Sequence, residues 1–179
     1  MNTPNKLTVM RMIMVPFLVL FMLTGWGGDA NRWICLVIFA GASITDWFDG
    51  YLARKHNLVT DFGKFMDPLA DKLLVCSALI CFIEMDRLDA WIVIVIIARE
   101  FIISGFRLIA VENGVVIAAN YWGKFKTVSQ MIMIILLIIH AGGIFDVLAE
   151  IFVWISLALT VISLITYIWQ NRKVLSAQK

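Results

Sequence analysis

One stretch of the chain, residues 147–169, reads VLAEIFVWISLALTVISLITYIW and contains a single charged residue, Glu150. A helix of about 20 mostly apolar residues is long enough to cross the hydrocarbon core of a bilayer. The stretch therefore predicts a membrane-spanning helix. Further apolar segments of similar length precede it, and together they predict six spans. These spans cover residues 7–25, 33–54, 65–84, 88–111, 121–141 and 147–169.

The composition of the whole chain agrees with this prediction. Of its 179 residues, 61% are hydrophobic and 16% are charged, and the mean hydropathy is +0.90. Soluble domains are about 45 to 50% apolar and about 25% charged. The length predicts a single domain, 1–179. A net charge of +2 is too small for a protein that binds nucleic acid through bulk charge. The three cysteines, all in apolar runs, are expected to pack as small hydrophobic residues.

The predicted fold class is all-α, an integral membrane bundle of six transmembrane helices. Helices satisfy their own backbone groups in lipid, and no segment alternates with the period of a strand. Six spans place both termini on one side of the membrane. The basic residues on that side are Lys6, Arg11, Arg54, Lys55, Lys64, Lys72, Lys124, Lys126, Arg172, Lys173 and Lys179. The opposite turns carry only Arg32 and Arg87. Because cytoplasmic loops are rich in Lys and Arg, both termini are predicted to be cytoplasmic.

Four aspartates stand at the ends of two predicted spans, where ionisable groups are costly and usually functional. Asp46 and Asp49 close the second span, and Asp67 and Asp71 open the third. The spacing puts each pair on one helix face. A loop of about ten residues makes the two helices antiparallel neighbours, so the carboxylates can converge. Oxygen ligands in this number suit two divalent ions such as magnesium, manganese or calcium. The competing interpretation is a set of solvated interfacial aspartates favoured by the helix dipole.

The strings DWFDGYLAR, residues 46–54, and HNLVTDFGKFMDPLAD, residues 56–71, carry a recognisable motif. They resemble the signature D-x2-D-G-x2-A-R-x8-G-x3-D-x3-D of the CDP-alcohol phosphatidyltransferases without a mismatch. The matching positions are Asp46, Asp49, Gly50, Ala53, Arg54, Gly63, Asp67 and Asp71. Three further strings resemble the bacterial phosphatidylglycerophosphate synthases of that family. They are NTPNKLTVMR (2–11), AREFIISGFR (98–107) and GKFKTVSQ (123–130).

The resemblance implies an enzyme in the cell membrane, with its active site facing the cytoplasm and CDP-diacylglycerol as the lipid substrate. It implies two divalent cations, Mg²⁺ or Mn²⁺, held by Asp46, Asp49 and Asp67. Asp71 is the expected general base, and it also contacts the second ion. A homodimer among membrane lipid is expected as well. The residues expected to line the CDP-lipid pocket are Gly50, Ala53 and Arg54, with Asn5, Thr60 and Asp61 as further partners.

The attacking alcohol is predicted from basic residues outside the motif. Arg107 lies in the fourth span, and Lys124 and Lys126 stand at the start of the fifth. Cations beside a phosphoryl-transfer site suit an acceptor that carries its own phosphate, such as glycerol 3-phosphate. Thr8 and Arg11, three residues apart in the first span, are further candidates for that phosphate.

Several of these side chains have a second interpretation. Lys124 and Lys126 are alternatively snorkelling residues, and Arg11 is alternatively a topology anchor. Glu100 stands seven residues before Arg107 and is expected to pair with it, since that spacing puts both on one helix face. Ser129 and Gln130 are expected to form interhelical hydrogen bonds.

Two alternative functions stay open at this point. Within the family, the acceptor is alternatively phosphatidylglycerol, which gives cardiolipin, or inositol phosphate. In another class, the aspartates would form the permeation site of a divalent-cation transporter. Such a site should lie near the middle of the membrane with a polar route to both faces. The predicted carboxylates stand instead at the cytoplasmic ends of their spans, so the sequence favours the transferase.

Overall fold

The computed structural model describes the backbone of residues 3–55, 61–112 and 120–172, and the side chains of residues 7–45, 66–111 and 120–172. Over these ranges the chain contains helices and no strand, which confirms the predicted all-α class. The α-helices are α1 (Thr3–Thr24), α2 (Asn31–Lys55), α3 (Asp61–Glu84), α4 (Ala90–Glu112), α5 (Tyr121–Ile139) and α6 (Ile144–Gln170). Each overlaps one predicted span. α3 begins at Asp61, four residues before its predicted start at residue 65, because the helix starts before its apolar run.

Three helices in the described part are long and apolar enough to cross a bilayer. They are Leu7–Thr24 within α1, the whole of α5 and the whole of α6. These helices indicate a membrane protein. The other three helices also contain charged residues, among them Asp46 and Asp49 in α2, Asp67 and Asp71 in α3, and Arg99 and Glu100 in α4.

The chain forms two compact units. The first comprises Met1–Leu88 and Ile138–His140, and the second comprises Asp89–Leu137 and Ala141–Lys179. In the first unit, α1 packs against both α2 and α3. Its buried positions recur at intervals of three and four residues, the spacing of one helix face. They are Thr8, Arg11, Val15, Leu18 and Met22. The contact face of α1 is therefore polar at one end and apolar along the rest.

The faces of α2 and α3 follow the same spacing. Buried positions are Cys35, Phe39 and Ala42 on α2, and Ala70, Leu74, Ala78 and Phe82 on α3. Because α2 continues unbroken to Lys55, positions 46 and 49 extend the spacing of 35, 39 and 42. Positions 67 and 71 precede Leu74 on α3 in the same way. The helical register therefore puts all four aspartate positions on faces used for packing in the first unit.

In the second unit, α4 packs against α6. Ile103 and Phe106 of α4 form a buried cluster with Tyr167 of α6. The rings of Phe106 and Tyr167 meet edge to face, with centroids 6.0 Å apart. Polar contacts join α5 to both helices, and these contacts include several of the predicted site residues.

Candidate functional site

Thr8 and Asp67 join α1 to α3 by a direct hydrogen bond. The Thr8 side chain is fully buried, and its Oγ1 donates to Asp67 Oδ1 at 2.5 Å. A hydroxyl that donates to an ionised carboxylate makes a short, strong bond and restrains the carboxylate's orientation. Thr8 was predicted to bind the acceptor phosphate, but its contact here is with a predicted metal ligand.

Arg11 lies one helical turn further along α1 and is buried between helices. Its side chain is only 1% exposed, and its Nε donates to the carbonyl oxygen of Ala42 at 3.2 Å. Ala42 stands one turn before position 46 on α2. α1 therefore supplies a cation within the helix packing of the first unit. The interpretation of Arg11 as a topology anchor stays a prediction.

Asp67 and Asp71 lie one helical turn apart on α3, and both side chains are partly buried. They present only oxygen atoms, which magnesium and manganese prefer. The bond from Thr8 restrains Asp67 in the way that outer partners restrain the ligands of metal sites. The described donors therefore fit a hard divalent cation.

The structure describes the other residues predicted for this site only in part. The backbone positions of Asp46, Asp49, Gly50, Ala53 and Arg54 lie in α2, that of Asp61 in α3 and that of Asn5 in α1, but their side chains are outside the described residues, and Thr60 lies outside them altogether. Among side chains that the structure does describe, no three His, Cys, Asp or Glu residues form a group that could hold a metal ion.

A second polar centre lies in the other unit, around Glu100. Lys126 of α5 is 1% exposed, and its Nζ donates to Glu100 Oε1. Arg99 donates from Nη1 to the same oxygen at 3.0 Å and from Nε to Ser163 Oγ at 3.0 Å. The predicted pair of Glu100 with Arg107 is wrong, because Glu100 is neutralised by Arg99 and Lys126 instead. Lys126 is also no snorkelling residue, since it is buried and paired.

The two remaining predicted cations lie at the surface of this unit. The Arg107 side chain on α4 is exposed. Lys124 is also exposed, with its Nζ 5.4 Å from the centroid of the Tyr121 ring. Gly123 lets α5 approach Arg99 closely, because a Cβ there would lie 3.2 Å from Arg99 Nη2. The spacing of Lys124 and Lys126 did not show that one is exposed and the other buried.

The structure confirms the interhelical hydrogen bond that was expected of Ser129. Its Oγ donates to the Lys126 carbonyl oxygen at 2.9 Å and accepts from Ser156 Oγ of α6 at 3.2 Å. Gln130 differs from the prediction, because its buried Nε2 has no hydrogen-bond partner in the described part of the chain. Ser129 therefore links α5 to α6, next to the Lys126 turn.

The bond between Thr8 and Asp67 predicts the effect of Thr8→Val. Valine keeps the shape of threonine but cannot donate to the carboxylate. Loss of such an orienting partner lowers metal affinity by about 10- to 100-fold, so we expect the apparent affinity of purified protein for Mn²⁺ to fall by about tenfold. Thr24→Val is the matched control, since the exposed Thr24 hydroxyl of the same helix bonds only to the Leu20 carbonyl oxygen, at 2.7 Å. Equal Mn²⁺ affinities in the two variants would show that Thr8 does not orient a metal ligand.

The chain is similar in sequence to several known proteins. The CDP-alcohol phosphatidyltransferase family model matches residues 1–162. A CDP-diacylglycerol–glycerol-3-phosphate 3-phosphatidyltransferase of Bacillus subtilis is 43% identical, over 97% of each chain. A protein of the same name from Rickettsia typhi is 39% identical, over 93% of this chain and 94% of its own. A probable phosphatidylglycerophosphate synthase of Mycobacterium tuberculosis is 39% identical, over 93% of this chain and 80% of its own.

These similarities extend over most of the chain, including both polar centres. The family model alone spans all of α1 to α5 and most of α6. The chain belongs to the CDP-alcohol phosphatidyltransferase family.

Proposed function

We propose that this protein transfers the phosphatidyl group of CDP-diacylglycerol to glycerol 3-phosphate, giving phosphatidylglycerophosphate and CMP. The observation that carries the proposal is the bond between Thr8 and Asp67, which holds one carboxylate of the full family motif inside the first unit. The named activity of the B. subtilis and R. typhi relatives supports the choice of glycerol 3-phosphate.

The helical register supports a shared acidic site. Positions 46 and 49 extend the packed face of α2, and Asp67 and Asp71 begin that of α3. Arg11 lies beside the turn of α2 that leads to position 46. Several anions brought together at low dielectric need cations to hold them. We therefore infer that the four carboxylates face one site, to which Arg11 contributes one positive charge.

This site is proposed to hold two divalent cations, Mg²⁺ or Mn²⁺. The ligands are Asp46, Asp49 and Asp67, and Asp71 shares the second ion. Such ions, when bound, neutralise a diphosphate and stabilise the charge of a leaving phosphate. Thr8 keeps Asp67 in one orientation for this purpose.

The chain's own residues then have distinct tasks in the transfer. Gly50 and Ala53 are small and let the cytidine diphosphate approach α2, while Arg54 binds its phosphate bidentately. Asp71 accepts the proton of the glycerol 3-phosphate hydroxyl on its carboxylate. The hydroxyl oxygen forms a bond to the phosphorus that carries diacylglycerol, and the bond from that phosphorus to CMP breaks. Further contacts to the CDP-lipid are proposed for Asn5, Thr60 and Asp61.

The acceptor phosphate is assigned to the basic residues Arg107, Lys124 and Lys126. Arg107 and Lys124 have exposed side chains. Lys126 is held by Glu100, which fixes the position of its charge. Thr8 and Arg11 are further candidates for this phosphate, and like Lys126 each donates a hydrogen bond within the protein.

Arg107→Ala should separate the two substrates kinetically. We expect the KM for glycerol 3-phosphate to rise by at least about tenfold, the effect of losing one charge-assisted hydrogen bond. The KM for CDP-diacylglycerol should stay within about twofold of the wild-type value. Arg172→Ala, which removes an exposed arginine after α6, should change neither constant. Equal increases in both KM values would contradict an acceptor-phosphate role for Arg107.

The orientation proposed for the membrane has six spans, both termini in the cytoplasm and the active site on the cytoplasmic side. The charges of α4 are compatible with a span, because Glu100 is neutralised by Arg99 and Lys126. We also expect a homodimer, as in the family that the sequence resembles. Light scattering of the purified protein in detergent checks that expectation.

Release of CMP tests the proposed function directly. Purified protein in detergent micelles is given CDP-diacylglycerol, Mg²⁺ or Mn²⁺, and labelled glycerol 3-phosphate, phosphatidylglycerol or inositol phosphate in parallel. We expect CMP release and labelled lipid with glycerol 3-phosphate. CMP release only with another alcohol would show that the protein is a transferase of the same family with a different acceptor. No release with any alcohol would remove the enzyme proposal and leave a cation transporter to be tested by metal uptake into vesicles.

A further inference from the structure

A cavity of about 400 Å³ lies in the first unit, at the end of the helices that is remote from the aspartates. Its lining includes Met22 near the end of α1, Arg32 at the start of α2 and Phe82 near the end of α3. Met22 follows Thr8 by 14 residues of continuous helix, a rise of about 21 Å. The cavity is therefore separate from the site that Thr8 and Asp67 mark.

The cavity is lined by two arginines, Arg32 and Arg87, together with His140 and one acidic residue, Asp29. In the proposed topology, Arg32 and Arg87 are the two basic residues of the turns opposite the cytoplasm. Arginines are disfavoured on that side of a membrane protein. Because both arginines line one cavity, the cavity suits an anion.

The lining also includes four buried apolar residues, which are Met22, Cys35, Phe82 and Ile138. At the rim, the exposed Arg32 guanidinium lies 5.7 Å from the centroid of the Trp33 ring, which is itself exposed. Arginine and tryptophan side by side are typical of the membrane–water interface. An anion with an apolar portion fits this combination better than a fully hydrated one.

The loop between α1 and α2 holds one wall in place. Asn31 donates from Nδ2 to the Phe21 carbonyl oxygen at 2.9 Å and accepts from the Gly27 amide at 3.4 Å. A Cβ on Gly27 would come within 2.7 Å of Asn31 Cα, so only glycine allows this close approach. Gly28 in turn donates to the Gly25 carbonyl oxygen at 2.9 Å. The wall is therefore built before any ligand binds, which lowers the cost of binding.

We propose that this cavity binds the phosphate headgroup of an anionic phospholipid from the leaflet opposite the active site. Arg32 and Arg87 bind the phosphate. The volume is that of a small-molecule site, so it accommodates a headgroup while the acyl chains extend into the bilayer. The inference goes beyond the proposed transfer reaction and rests only on the membrane orientation proposed with it.

Native mass spectrometry of the full-length protein in neutral detergent tests this site. The protein is titrated with dioleoyl phosphatidylglycerol, dioleoyl phosphatidylcholine or inorganic phosphate. We expect saturable binding of phosphatidylglycerol, with a Kd raised by about tenfold in Arg32→Gln and in Arg87→Gln, as for loss of one charge-assisted bond. Arg172→Gln, the matched control, should bind as the wild type does. Because Arg32 is exposed, its variant keeps the test valid if Arg87→Gln does not fold.

Three results would overturn the proposal. They are an unchanged phosphatidylglycerol Kd in Arg32→Gln, equally tight binding of phosphatidylcholine, and binding of inorganic phosphate as tight as that of the lipid. The last would identify a free anion as the ligand. CMP release is measured on the same samples and should stay within about twofold in Arg32→Gln, since position 46 lies about 21 Å further along α2. Arginine-dependent lipid binding without any CMP release would support the lipid site in the cavity and contradict the proposed transfer reaction.

Discussion

Asp71→Asn is expected to lower CMP release by at least about 10³-fold. Asparagine keeps the size of aspartate but removes both its negative charge and its ability to accept a proton from the alcohol. A positioned general base alone contributes about 10²- to 10⁴-fold to the rate. Asp71 is also proposed to share a metal ion, so both contributions are lost together. Initial rates of CMP release from CDP-diacylglycerol at saturating glycerol 3-phosphate measure the effect.

The control for this variant is Asp86→Asn, which makes the same chemical change at an exposed turn outside the proposed site. Asp86 has a positive φ of 53°, and asparagine tolerates that conformation well. We expect the control to keep wild-type activity and both proteins to purify with the same helix content. If Asp71→Asn retained more than about a tenth of the activity, the assignment of Asp71 as base would be wrong.

Removal of divalent metal is expected to have an effect of similar size. Exhaustive dialysis against a chelator should lower CMP release by at least about 10³-fold, because the diphosphate would then meet uncompensated carboxylates. Added Mg²⁺ or Mn²⁺ should restore the rate. Circular dichroism before and after dialysis checks that the helices persist. Full activity in the chelated protein would refute the proposed cation site while leaving the family assignment intact.

The fold was predictable because apolar runs mark spans directly. The bounds of α5 and α6 lie within three residues of the predicted ones at each end. The start of α3 was placed at residue 65, yet the helix begins at Asp61. A rule based on apolarity detects the part of a helix that lies in lipid and stops where polar residues begin, although the helix itself continues.

The motif predicts the residues of the candidate site, but it does not predict their partners. Thr8 and Asp67 are separated by 59 positions, and spacing rules act only within one helix. For the same reason Glu100 was matched with Arg107 on its own helix and not with Lys126 on another. The sequence does contain one indication of these contacts between helices. Thr8 and Arg11 continue the three- and four-residue spacing of the buried positions Val15, Leu18 and Met22, which predicts that they pack against other helices.

The carboxylates of α2 and α3 are proposed to share one site for divalent cations, and the number of bound Mn²⁺ ions, counted by electron paramagnetic resonance, tests this proposal. The purified wild-type protein is titrated with Mn²⁺, and free ion is measured from its solution signal. We expect two bound ions for each chain and a loss of both at the same concentrations in Asp67→Asn. Binding of fewer than one ion, or identical titrations for the wild type and Asp67→Asn, would contradict it.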